Sequence, residues 1–277
     1  PGETEWDAAT AYTVGQVAVR TTTHRKYKRL VAGTTPTPPE SDLSDPPVWL
    51  DIGATAKWAQ FDRKIGTVTS GASPLTTVLR AGSVEGLALL ELQGQTAVVT
   101  VYDRPITDPA KAAVYSRTID LDGQAVTDVY DWMYGEPAQK LNAVLTDLPG
   151  QYHSGDIEVT ITGAGASVGV GVLAVGRSHA IGSAVYGAGA GIINWGKVND
   201  DGFGGREWLQ GDWSSRVTLP VVANRHDFPR IHRLLARRRS TPCIYIGSEL
   251  AAMEPLIVYG VYRDAYITVP NYPTISY

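Results

Sequence analysis

The chain has 277 residues, room for two or three domains, and a formal net charge of −4. Hydrophobic residues at 43% against 19% charged supply material for packed cores and argue against disorder. The acidic balance argues against a general nucleic-acid binder, and a single cysteine, Cys243, excludes an intrachain disulfide or a cysteine-rich zinc site. No apolar run approaches the ~20 residues of a membrane-spanning helix, so no membrane insertion is expected.

With 29 glycines and 17 prolines and few helical patterns, the sequence predicts a mainly β chain. Three parts are expected: a small β module over 1–56, a β-sandwich or jelly roll over 57–180, and an α+β unit with one helix on a sheet over 181–277. The polar start PGETEWDAAT carries no signal-peptide pattern. With one cysteine, that points to synthesis in a cytoplasm.

In the first part, Val17 to Val19 and Tyr27 to Val31 read as strands joined by a turn through Thr21 to Arg25. A proline-rich loop, Thr34 to Pro47, follows and is anchored by Trp49. A unit this small folds only if it spends its aromatics on a core. The run Trp6, Tyr12, Gly15, Val17, Tyr27, Pro36 and Trp49 resembles the chitin-binding-type carbohydrate-binding modules of families 5 and 12. That resemblance implies a sugar contact, with Tyr27 and Trp49 as the residues to carry it. The four residues after Tyr27 (Lys28, Arg29, Leu30, Val31) lack the exposed aromatic such modules use for stacking. Core and sugar platform both stand as readings of the two rings.

Trp58 and Phe61, in the connector Ala56 to Asp62, are expected to dock the first part onto the second. Strands are then predicted at Leu75 to Leu79, Val84 to Leu90, Ala97 to Tyr102, Val114 to Leu121, Asp128 to Met133, Leu141 to Leu145, Ile157 to Ile161 and Val168 to Val175. A turn is expected at Asp122-Gly123. Even spacing of about eight strands is the pattern of a sandwich; its general look resembles the galactose-binding-like jelly rolls.

In the third part, Gly182 to Asn194 is glycine-rich and Gly196 to Gly205 reads as a loop. Strands are expected at Ser215 to Val222, Cys243 to Ile246, Leu256 to Arg263 and Ala265 to Val269, with strand-favouring Tyr272, Ile275 and Tyr277 in the tail. Between the first two lies one helix, with Asp227 as N-cap, Pro229 in the first turn, and Phe228, Ile231, Leu234 and Leu235 on one face. Arg237, Arg238 and Arg239 crowd its C-terminal end, where the helix dipole favours cations; they are expected to touch a neighbouring subunit.

No catalytic, cofactor or metal motif appears. Asn199-Asp200-Asp201-Gly202 lacks the ligand frame of a calcium loop and reads as a turn. The five histidines show no zinc spacing, and no nucleophile elbow or dinucleotide fingerprint occurs. The SRVTLPV strand, the RIHRLLARRRSTPCIYIGSE element and the LIVYGVYRDAYI strand, behind a sandwich and a sugar-module-like head, together resemble structural proteins of the distal tail of long-tailed bacteriophages. The resemblance implies a non-enzymatic virion component of the tail tip or baseplate. It would be made in the host cytoplasm, assemble as a ring or trimer with other tail proteins, and touch host-surface glycans. The competing reading is a secreted or cell-surface carbohydrate-binding or carbohydrate-active protein.

Overall fold

A computed structural model describes residues 4–121, 128–134, 139–165, 167–200, 205–248, 250–265, 267 and 274–276. The chain is mainly β, with several antiparallel sheets and one long helical stretch toward its C-terminal end. It divides into two compact units, 1–177 and 178–277. The first unit holds two separate cores, one for the N-terminal module and one for the sandwich.

The module is a four-stranded sheet in the order β1 (Thr4–Glu5), β2 (Val17–Arg20), β3 (Arg25–Arg29), β4 (Trp49–Ala54). Its core is Tyr12, Ala18, Tyr27 and Trp49, with Trp6 and Val48 packed against it. Tyr12 meets Trp49 edge-on at 5.1 Å, and the Asp7 amide donates to Tyr12 Oη at 2.7 Å. Strand β3 begins and ends two residues before the predicted Tyr27 to Val31, because Arg29 rather than Leu30 or Val31 turns inward. Arg29 is buried opposite Trp49 in the ladder, with its guanidinium 4.7 Å from the Trp49 ring. Its Nε and Nη2 donate to the carbonyls of Val31 and Gly33 in place of water, while Nη1 is buried without a partner among the described residues.

The proline-rich loop is held by one side chain. Asp42 accepts the amides of Ser44, Val48 and Trp49 at 3.1, 2.7 and 2.9 Å, and the Ser44 hydroxyl as well. Burial alone would raise the Asp42 pKa; these donors outweigh it and hold the carboxyl below its ordinary value. Trp49 thus enters the core from an ordered loop.

Trp58 stacks on His24 of the module, ring centroids 3.8 Å apart, and tilts against Phe61 at 5.6 Å. Phe61 in turn packs against the sandwich core. The two connector aromatics join module to sandwich.

In the sandwich, one sheet runs β6 (Leu75–Leu79), β11 (Ile157–Thr162), β8 (Thr96–Tyr102), β9 (Ala113–Asp120). The facing sheet runs β10 (Ala143–Leu145), β7 (Gly86–Leu90), β13 (Val172–Gly176), and β12 (Val168–Val170) pairs with β5 (Thr69–Gly71). The chain passes between the layers from β6 to β7, β7 to β8, β9 to β10 and β10 to β11, while β8 and β9 pair directly. Alternation decides which side chains go in: Ala97, Val99 and Val101 of β8 and Ile157, Val159 and Ile161 of β11 are buried against Leu87, Leu89 and Leu173. The predicted single strand Val168 to Val175 is two strands in different sheets. It breaks at Gly171, where a Cβ would lie 2.3 Å from Glu91 Oε2. Asp128 to Met133, expected as a strand, is instead part of a short helix, α1 (Val129–Tyr134). Tyr130 and Tyr134 meet at 5.0 Å across one helical turn. The expected turn at Asp122-Gly123 lies outside the described residues.

At the sandwich end, buried Asp156 accepts Arg80 Nε at 2.8 Å, Arg80 Nη2 at 3.2 Å and the Ile106 amide at 2.7 Å. The Arg80 guanidinium holds its carboxyl below the ordinary value against the opposing push of burial.

In the second unit, α2 (Phe228–Arg238) lies on a sheet of β14 (Ser183–Ala184), β19 (Val221–Asn224) and β22 (Thr274–Ser276). Ile231 is sealed against Ala223, with Phe228, Leu235, Ile181 and Ile267 around them. A turn of 3-10 helix, Arg225–Asp227, precedes α2, so Asp227 is already helical. Asp227 holds the expected N-cap position of α2, but its carboxylate takes Arg230 Nε at 3.2 Å and caps no amide. The predicted strand Ser215 to Val222 is split at Leu219-Pro220, since proline has no N–H for the ladder, into β18 (Trp213–Thr218) and β19. Strand β20 (Cys243–Ile246) pairs with β21 (Ile257–Gly260). Of the expected strand Ala265 to Val269 and of the tail, 266, 268–273 and 277 lie outside the described residues.

Two outcomes test these cores. In calorimetry, Trp49→Ala should cost about 3–5 kcal/mol, the range for deleting a buried tryptophan side chain. Trp49→Phe should cost much less, because Trp49 Nε1 is buried without an acceptor among the described residues. The folded pKa of Asp156 is lowered, so its stabilisation is complete above its unfolded pKa of about 3.9. It is lost as pH falls through the lower folded value. Asp156→Asn should therefore melt below the parent protein at neutral pH, and the gap should close on that acid limb.

Candidate functional site

The sugar-contact expectation fails on burial. Tyr27 is 4% exposed and Trp49 5%, so neither offers a ring face to a ligand. Both belong to the module core, where a small sheet has little else to pack.

The large exposed apolar surface lies elsewhere. Strand β15 (Gly189–Asn194) pairs with β18, and β16 (Lys197–Asp200) pairs with β17 (Arg206–Leu209). The second pair continues the first, so residues 189–200 and 205–218 form one long two-stranded ribbon. Within the predicted loop Gly196 to Gly205, Lys197–Asp200 is strand, so Asn199 and Asp200 of the expected turn are strand, while 201–204 lie outside the described residues. Residues 189–200, at about 3.3 Å each, give the ribbon a reach of roughly 40 Å.

The two segments join at a pinch. The Trp195 amide donates to the Asp212 carbonyl at 2.9 Å, and Asn194 Oδ1 accepts the Gly196 amide at 2.8 Å. A Cβ on Gly211 would stand 2.6 Å from the Trp195 carbonyl carbon, so the strands come this close only with glycine there. Trp195 Nε1 donates to Ser214 Oγ at 3.0 Å, and Arg206 pairs with Asp200 at 3.0 Å toward the tip. At its base the ribbon neighbours β21 and the turn Ala251–Leu256.

Nothing described covers the ribbon. Trp195, Trp208 and Trp213 are 62, 74 and 58% exposed, and Ile192, Val198 and Leu209 are exposed with them. Val198 sits directly opposite Trp208, which makes one cross-strand apolar pair facing solvent. A two-stranded ribbon without a covering layer is marginal in water, and its unpaired edges can accept another strand. Side chains of this kind are those that dominate protein interfaces once buried. The sequence carried one signal of this, three tryptophans among polar residues. It was masked by the glycines and aspartates that made the stretch read as a loop.

The second surface is α2. Arg237, Arg238 and Arg239, the residues expected to touch a neighbouring subunit, are all exposed at its end. Arg239 Nη1 donates to the Ala236 carbonyl at 3.4 Å. Arg237 also joins Arg230, Arg233, Leu234 and His179 around a shallow groove of about 330 Å³. Among the described residues no group of three or more His, Cys, Asp or Glu side chains is placed to hold a metal ion.

Single changes of Trp195, Trp208 or Trp213 to serine should leave the thermal stability of the dispersed chain within about 0.5 kcal/mol, as for other exposed positions. The same changes should lower binding of a hydrophobic dye such as ANS. A large drop in stability would mean that the indoles are already packed. Comparison with models of protein families, with curated proteins and with solved structures gave no match to this chain.

Proposed function

We propose that the chain is a structural component of a bacteriophage tail tip or baseplate, where it scaffolds neighbouring tail proteins. The observation that carries this reading is the ribbon of residues 189–200 and 205–218, with three exposed tryptophans and, among the described residues, no covering layer and no partner on either edge. Such an arm is stable in company, because a neighbour's surface supplies the layer that its own fold withholds. The resemblance of the second unit and of the part order to distal tail proteins supports placing that company in a tail.

In this reading the sandwich is a spacer, and the arm and the arginine-rich helix end are the contacts. The chain would be made in the bacterial cytoplasm and work within the virion. Glycan contact loses the two residues offered for it, Tyr27 and Trp49, so assembly carries the function.

An antibody against the chain should decorate one end of the tail in intact virions from a strain that carries its gene. Virions that lack the chain by both immunogold labelling and mass spectrometry would overturn the reading.

A further inference from the structure

Residues 225–239 hold six arginines against one acid, Asp227. Asp227 is engaged with Arg230, and the Arg230 Nη2 donates to the Ala180 carbonyl at 3.0 Å. Arg233 Nε donates to its own helix at the Pro229 carbonyl. Among the described residues no carboxylate lies within ion-pair distance of Arg233, Arg237 or Arg238. The groove lined by Arg230, Arg233, Arg237, His179 and Leu234 therefore joins cationic groups to one aliphatic side chain.

The same chain displays the opposite charge on its N-terminal module. The stretch Thr34 to Pro47 has three acids, Glu40, Asp42 and Asp45, and no basic residue. Leu43 stands at its tip, 97% exposed. The Asp42 hydrogen bonds that hold this loop also hold Leu43 outward, so little ordering is lost when the loop docks. Glu40 is neutralised by Arg20 at 2.8 Å, whereas Asp45 has no cation within ion-pair distance among the described residues. One aliphatic knob beside an unpaired carboxylate faces outward here. One aliphatic side chain beside unpaired guanidinium groups lines the groove there.

We infer that the Leu43 loop of one copy docks in the Arg233–Arg237 groove of a second copy, Leu43 on Leu234 and Asp45 against the arginines. Two different patches of one chain are joined, so the contact is head-to-tail. It generates a ring where the rotation closes and a filament where it does not. The apolar knob and net acidic chain favour this occupant over a nucleic-acid backbone, which would offer charge without an aliphatic anchor. The inference rests on the scaffold reading only in taking self-assembly as the partner for that scaffold.

Sedimentation velocity of the full chain tests it. The parent should associate with rising concentration, more weakly at high salt, since rim ion pairs are screened. Leu43→Asp and Arg237→Glu, both at exposed positions, should each weaken association tenfold or more without moving the melting temperature. Mixed together, these two variants should form dimers and stop there, because one intact loop meets one intact groove and the remaining ends are both defective. A parent that stays monomeric at all concentrations would overturn the proposal, as would association that neither variant weakens. If that association is lost in Trp208→Ser instead, the ribbon is the self-contact and the scaffold reading survives. Tight, Arg237-dependent binding of a labelled oligonucleotide, with no self-association, would assign the groove to phosphate and overturn the proposal.

Discussion

A β-sheet has two faces, and an apolar face is stable in water only when something covers it. This constraint decides each part of the molecule. In the sandwich, β8 and β11 alternate strictly, so their inner valines and isoleucines meet the facing sheet and their outer threonines meet water. In the second unit α2 supplies the cover for β19 through Ile231. In the ribbon no second layer is present among the described residues, and three indoles stay in solvent.

The N-terminal module meets the constraint at its smallest scale. Four strands cannot enclose much, so the module places Tyr12, Tyr27 and Trp49 inside and adds a buried arginine as the last packing piece. An arginine works here because its flat guanidinium lies over the indole while its Nε and Nη2 find backbone carbonyls. A lysine would bring the charge without the planar donors. A sugar-module-like pattern of aromatics can therefore come from the demands of a small core alone.

Charge is arranged as unevenly as apolar surface. In the first unit arginines meet carboxylates, as in Arg20 with Glu40, Arg80 with Asp156 and Arg117 with Asp147. On α2 the arginines outrun the local acids. Cations near a helix C-terminus gain from the dipole, but that gain reaches only the last turn, so it accounts for Arg237 and Arg238 and not for Arg233.

The sequence by itself determined the strands whose patterning is local. Leu75–Leu79 and Cys243–Ile246 match their predicted spans, and β8 and β11 match to within one residue, because alternation in a half-buried strand is written in consecutive side chains. It also determined α2 and its apolar face, through the three-and-four spacing of Phe228, Ile231 and Leu235. What only the tertiary structure decided was how strands divide among sheets and which aromatics are spent inside. The break at Gly171 depends on Glu91, eighty residues earlier; the helix at Val129–Tyr134 is a stretch that alternation alone would make a strand. The ribbon was hidden for the same reason: its strands are defined by their cross-strand partners, and its glycines and aspartates imitate a loop. Whether a tryptophan is core or contact is set by the layer above it, and no property of the residue or its neighbours in sequence records whether that layer exists.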